Sequence, residues 1–296
     1  MRIVSLVPHA TELLFALGMG ESVVGVSHAC DFPPEARDLP QLTRSLLADD
    51  TGAAAVDLAV RERSERGEPL YALDGELLLD LEPDLIVTQA LCEVCAVRPD
   101  DVVAIAGELA EPAQIVALAP STLGETMGDI RTLAQATGAR AEALDLIARQ
   151  RERIDRVESA LRDVERVGTV ALEWLDPVFT AGHWTPQLIE MAGGLDLCGF
   201  AGEPSERSTW EAVAAAAPEV VLVMPCGYGA AHALEEAERH AGELRALGAR
   251  AVVALDANAT FSRPGPRLID GLETLAHVLH PDLTPDAPST VLHVEL

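Results

Sequence analysis

Seven short apolar runs, divided four and three around one long stretch without strands, constrain this chain more than any other feature. "RIVSLVP", "SVVGVSH", "DLIVTQ" and "QIVALAP" lie before residue 122; "GTVALEW", "EVVLVMP" and "RAVVALD" lie after residue 163. Such runs, alternating with helical patterns, are what parallel strands joined by crossover helices look like. Residues 122–163 contain no proline and no strand-like run. Thr122-Leu123-Gly124-Glu125 fits a capping box at a helix start, and Gly138 should break the segment. Residues 139–164 then form one amphipathic helix of about 26 residues, roughly 39 Å long. The expected fold is α/β. Two lobes with parallel sheets, residues 1–120 and 165–296, are joined by a helical segment over 121–164, with a ligand cleft between them.

The two halves resemble each other. "LEPDLIVTQALC" (81–92) and "AAPEVVLVMPCG" (216–227) share a proline, an acid, an apolar strand and then a cysteine. "TELLFALGMG" and "PQLIEMAGG" each read as an amphipathic helix closed by glycines, which accept the left-handed C-cap conformation. Two structurally related lobes are expected.

Composition removes several functions. A formal charge of −27 argues against nucleic acid and against anionic membrane surfaces, which both demand a basic face. All 21 basic residues are arginine. Without lysine there is no Schiff-base chemistry and no phosphate-binding P-loop. The N-terminus "MRIVSLVPHATELLFALG" has no apolar run of signal-peptide length, and no later run is long enough for a membrane span. The expectation is a soluble, cytoplasmic protein, where cysteines are more often thiols or metal ligands than disulfides.

In parallel α/β lobes, ligands bind beyond the carboxyl ends of the strands. Reading past each strand end gives His9, then His28, Cys30 and Asp31, then Gln89, Cys92 and Cys95 in the first half. In the second half it gives Trp174 and Asp176, then Cys226, Gly227 and Tyr228, then Asn258, Phe261 and Arg263, with His183 and Trp184 nearby. In a chain with 3% aromatic residues, this edge is the expected site. His28, Cys30, Cys92 and Cys95 are candidate ligands for zinc or another soft to borderline cation, since parallel strands two and three end at the same rim. The alternative is that the cysteines pack as small apolar residues. No Ser-His-Asp order, paired-carboxylate motif or phosphate loop supports an enzyme.

"RIVSLVPHATELLFALG", "VVGVSHACDFP", "LEPDLIVTQALCEVCAV" and "FSRPGPRLIDGLETLA" resemble the cobalamin-binding branch of the periplasmic-binding-protein-like family. These are the substrate-binding proteins of vitamin B12, siderophore and haem importers, and the likeness spans essentially the whole chain. It implies two α/β lobes on a helical backbone and a non-catalytic protein that holds cobalamin or a related corrinoid between them. Haem or a siderophore-like chelate is the alternative ligand, and a metalloenzyme using the Cys/His cluster a third reading. It implies that Trp174, Trp184 and Tyr228 offer flat faces to the corrin ring. Arg263 would reach a rim carbonyl or the nucleotide phosphate, or else brace its own turn. In the absence of a free metal ion, His28 or His9 becomes the candidate axial donor to cobalt. An ABC transporter permease is the implied partner if the protein is exported.

Overall fold

The computed structural model describes residues 1–47, 53–90, 96–284 and 286–296. They divide into two compact units, Met1–Pro120 with Glu125–Ala148, and Ser121–Gly124 with Arg149–Leu296.

In the first unit the strands are β1 (Ile3–Ser5), β2 (Val23–Val26), β3 (Thr43–Ser45), β4 (Tyr71–Leu73), β5 (Leu85–Gln89) and β6 (Gln114–Leu118). Its helices are α1 (Pro8–Ala16), α2 (Ala53–Glu65), α3 (Gly75–Asp80), α4 (Pro99–Ala106) and α5 (Leu123–Thr137, from Glu125 onward). β2-β1-β5-β6 form an all-parallel sheet, while β3 and β4 pair antiparallel in a small sheet of their own. All five residues of β5 are buried, as a central strand covered on both faces requires. Val4, Leu6, Leu42, Leu78, Ile86 and Val102 make the core.

Gly138 ends α5 as expected. Its φ of 80° is left-handed backbone that a side chain disfavours, and its N–H still reaches Ala134 O at 2.9 Å. The following helix, α6 (Arg140–Ala160), has 21 residues rather than about 26, because residues 161–163 form a turn. The boundary between the units falls inside α6, after Ala148.

The second unit contains β7 (Val167–Leu175), β8 (Val178–Thr180), β9 (Gly194–Asp196), β10 (Glu206–Arg207), β11 (Val220–Val223), β12 (Ala251–Leu255) and β13 (Val291–His293). Its helices are α7 (Thr185–Met191), α8 (Trp210–Ala215), α9 (Ala230–Arg239), α10 (Ala241–Ala246), α11 (Ala257–Thr260) and α12 (Leu268–Leu279). Strands β9, β7, β11 and β12 run parallel, but β8, β10 and β13 pair antiparallel at the margins. The sheet is therefore mixed, which corrects the expectation of a parallel one. Only Asp176 and Pro177 separate β7 from β8, and so short a link can join antiparallel strands alone. Arg153 on α6 binds Asp270 at 2.6 Å and Glu273 at 2.5 Å, tying that part of α6 to α12.

The internal resemblance has a physical basis. Before β5, Glu82 takes a φ of 41° and Pro83 follows; before β11, Ala217 takes a φ of 51° and Pro218 follows. The next residue is an acid in both cases. Asp84 accepts the Arg2 N–H at 2.6 Å, and Glu219 accepts the Gly168 N–H at 3.0 Å. The acid's own N–H then donates to Arg2 O or Gly168 O, each at 2.8 Å. The carbonyls of Asp84 and Glu219 accept from the next parallel strand, through Gln114 N at 2.8 Å and Arg250 N at 2.9 Å. Both sheets thus start with one device. Among the described residues, no helix is long and apolar enough to cross a membrane.

Leu172 is fully buried in the second core, whereas Leu195 is 46% exposed on β9. Leu172→Ala should cost about 2–5 kcal/mol through lost burial and the cavity left behind. Leu195→Ala should stay within about 0.5 kcal/mol of wild type. Urea-unfolding midpoints of the two variants measure the difference.

Candidate functional site

In the first unit the carboxyl edge of the parallel sheet presents His28 and Gln89. His28 follows β2, and its backbone N–H donates to Thr43 Oγ1 at 3.0 Å. Its Nδ1 lies 2.7 Å from the same oxygen. The half-buried ring sits 5.6 Å from that of Tyr71 on β4, and burial lowers its pKa below the usual histidine value. Gln89 ends β5 and is buried. Asp31 is half-buried, and its carbonyl accepts from Arg37 Nε at 3.0 Å. His9 lies in the first turn of α1 at 2% exposure, within the body of the unit rather than on an open edge.

The proposed metal cluster does not assemble from the residues described. Cys30 is 1% exposed, and its Sγ lies 3.1 Å from Thr11 Oγ1 and 3.2 Å from Ser27 Oγ. It packs beneath the edge while His28 engages Thr43. Cys92 and Cys95, with Glu93, lie outside the described residues. Among the described residues, no three His, Cys, Asp or Glu side chains converge as a bare ion needs. A zinc site on His28 and Cys30 is not supported.

In the second unit the carboxyl edge gathers aromatic side chains. The Trp174 and Tyr228 rings meet edge to face with centroids 5.6 Å apart, and His232 lies 6.0 Å beyond Tyr228. Both paired rings are half-buried. The loop carrying Tyr228 is held by backbone bonds. Cys226 N–H donates to Glu173 O at 3.1 Å, and Tyr228 O accepts from Asn258 N at 2.9 Å. Gly227 N–H donates to Ser262 Oγ at 3.0 Å. Buried Arg263 donates to Asn258 Oδ1 at 2.8 Å, so the arginine braces its turn. Cys226 and Gly227 are exposed at this edge, and Asp176 is exposed in the β7–β8 turn.

Trp184 is a different case from the one expected. It is 6% exposed, and its Nε1–H donates to Phe261 O at 2.7 Å. Phe261 is itself 3% exposed. The indole is thus a buried anchor at the start of α7 and offers no open face to a ligand. His183, at a φ of 53°, packs its ring 5.5 Å from Trp184, and burial lowers its pKa.

An acid that no motif marks lies beside this edge. A bulge between Leu172 and Trp174 leaves Glu173 without an opposite residue on β8. Its carboxylate accepts from Ser205 Oγ and from the Gly182 backbone. That approach needs glycine at 182: a Cβ there would come within 2.4 Å of Ser205 N and 2.5 Å of Pro204 C. Burial pushes the Glu173 carboxyl up to about 7, aided by the nearby Asp196 charge and opposed by the two hydrogen bonds.

These features belong to a known pattern. The Periplasmic binding protein family matches residues 3–259, most of the chain. The chain belongs to that family. A vitamin B12-binding protein of Vibrio cholerae serotype O1 is 25% identical over 281 residues, covering 94% of this chain and 88% of the relative. A solved periplasmic haem-binding protein from Roseiflexus is 26% identical, with a TM-score of 0.65 over 95% of this chain and 98% of its own. A solved ABC transporter substrate-binding protein from Listeria monocytogenes reaches a TM-score of 0.70 at 17% identity, over 94% and 98% of the two chains. The two-lobe α/β fold and the non-catalytic reading stand: this periplasmic binding protein is a substrate-binding protein and not an enzyme. The cytoplasmic location expected from the N-terminus is overturned, because the family that the chain belongs to is one of periplasmic binding proteins.

Glu173 gives this periplasmic binding protein a pH-dependent weakness. A carboxyl raised from about 4.5 to about 7 binds more protons folded than unfolded across that window, so its contribution to stability is lost as pH rises through it. Asp129 on α5, also raised to about 7 by burial and by Glu125, acts in the same direction. Glu173→Gln should stabilise the protein above pH 7 by about 1–3 kcal/mol and change little below pH 4.5. Denaturant titrations at several pH values read this as a flatter slope in the variant.

Proposed function

We propose that the protein binds cobalamin or a related corrinoid. The reading rests on the Trp174–Tyr228 pair: two stiff, half-buried rings beyond the carboxyl ends of the parallel strands of a mixed sheet, in a chain where aromatics are 3% of residues. A large, partly apolar macrocycle gains most from aromatic contact at small entropic cost. Exposed backbone at Cys226 and Gly227, together with Asp176, would meet its amide rim. His28, Asp31 and Gln89, at the carboxyl edge of the first unit's own sheet, are proposed ligand contacts of that unit. The Vibrio cholerae relative, described as a vitamin B12-binding protein, favours the same ligand. As in importer substrate-binding proteins, an ABC transporter permease would receive the cargo.

A second reading, haem, is favoured by the Roseiflexus haem-binding protein at 26% identity over nearly the whole chain. Side-by-side titration with hydroxocobalamin and hemin separates the two. Tight retention of the corrinoid and weak hemin binding is expected; the reverse order would replace the first reading with the second.

Trp174→Ala and Tyr228→Ala should each weaken corrinoid binding by about 1–3 kcal/mol, the scale of one lost aromatic contact. Trp184→Ala should instead lower the melting temperature and leave affinity nearly unchanged in the folded fraction. Calorimetric titration of the three variants, with thermal melts alongside, tests the division.

A further inference from the structure

We propose that His28, oriented by Thr43, donates its Nε2 to the metal of the bound chelate by replacing one exchangeable axial ligand. This rests on the corrinoid reading and adds to it which corrinoids the site takes. The backbone delivers the pair. Ser27 N–H donates to Ser5 O at 3.0 Å, carrying the sheet up to His28. Val26 N–H donates to Pro40 O at 2.9 Å, and Leu42 N–H donates to Val26 O at 2.8 Å. Residues 40–42 are therefore laced to the end of β2, and Thr43 lands beside His28. A threonine hydroxyl has two acceptor positions. One takes the His28 backbone N–H; the other can take Nδ1–H at 2.7 Å. That tautomer leaves the lone pair on Nε2.

The remaining surroundings fit a donor. No described residue hydrogen-bonds Nε2, and it is not among the enclosed polar atoms, so it stays accessible. Tyr71 covers one side of the ring at 5.6 Å. A hydrogen bond on the far ring nitrogen that fixes tautomer and orientation is the usual outer-sphere support of a metal-binding histidine. Among the described residues no group of three or more His, Cys, Asp or Glu side chains includes His28. One imidazole cannot hold a bare ion, but it can fill one vacancy on a metal whose other positions are occupied by a macrocycle. With aquocobalamin, the Nε2 lone pair forms a cobalt–nitrogen bond as the axial water leaves with its own electron pair. Cobalt stays Co(III), and no electron is transferred. Cyanocobalamin, whose cyanide does not exchange, should bind without this bond.

The test uses the full chain and its His28→Gln, Thr43→Val and Thr43→Ser variants, each mixed separately with aquocobalamin and cyanocobalamin, desalted, and read by visible spectroscopy and titration. Wild type should retain both ligands. Only retained aquocobalamin should show the spectral shift of an imidazole-bound cobalt. His28→Gln should abolish the shift and weaken aquocobalamin binding about tenfold or more beyond whatever it costs cyanocobalamin binding. Thr43→Val should reduce the shift and Thr43→Ser restore it. Retained aquocobalamin with an unshifted spectrum in wild type, or a shift that survives His28→Gln, overturns the inference and leaves the corrinoid reading standing. Equal loss of aquocobalamin and cyanocobalamin binding in His28→Gln makes the residue a packing element and also overturns it. Failure of wild type to retain either cobalamin overturns both.

Discussion

Everything at the functional edges depends on a carboxylate that fixes where two parallel strands begin. Asp84 and Glu219 each accept an N–H from the neighbouring strand while their own backbone N–H and carbonyl bond on both sides. Parallel strands have no hairpin turn to set their register, so the register must come from contacts at the strand ends. A slip of one residue would turn every side chain of β5 or β11 to the opposite face. The acid at the start thus determines which residues emerge at the far end, Gln89 in one unit and the Cys226–Tyr228 loop in the other.

The far ends are built differently. In the first unit a hydroxyl lies against the His28 imidazole, and a thiol beside it is withdrawn into the packing. In the second, paired rings stand on a loop held by backbone bonds, while Trp184 and Phe261 are buried as support. Glu173 sits beside this edge, and burial raises its pKa although Ser205 and the Gly182 backbone both donate to it. That costs stability at high pH. The rings and their supporting loops are held by neighbours on at least two elements each, as a site that recognises by shape requires.

All seven strands read from the sequence are present, the central ones because strands buried on both faces must be almost wholly apolar. β8, β10 and β13 were missed because a two- or three-residue marginal strand carries too short a pattern to register. The shared proline and acid of the two halves were visible as letters; that they form a hydrogen-bonding device was not, since nothing in the sequence shows which amide the acid meets. The place of Trp174 and Tyr228 after strands was legible, and the structure brings their two rings together. Trp184 was misassigned by the same rule, because position alone does not tell an exposed ring from one whose N–H is captured by a distant carbonyl. Cys30 went the way of most single cysteines, into the core. Tyr71 gave no signal, because only pairing of β3 with β4 brings it to His28.

The left-handed corners ahead of the two acids hold different residues, a glutamate at 82 and an alanine at 217. Both halves keep the direction of the backbone and not the side chain, although that direction is strained for either residue. The molecule therefore carries its own control experiment. Equivalent starts lead to dissimilar ends, His28 beside Thr43 in one unit and the Trp174–Tyr228 ring pair in the other.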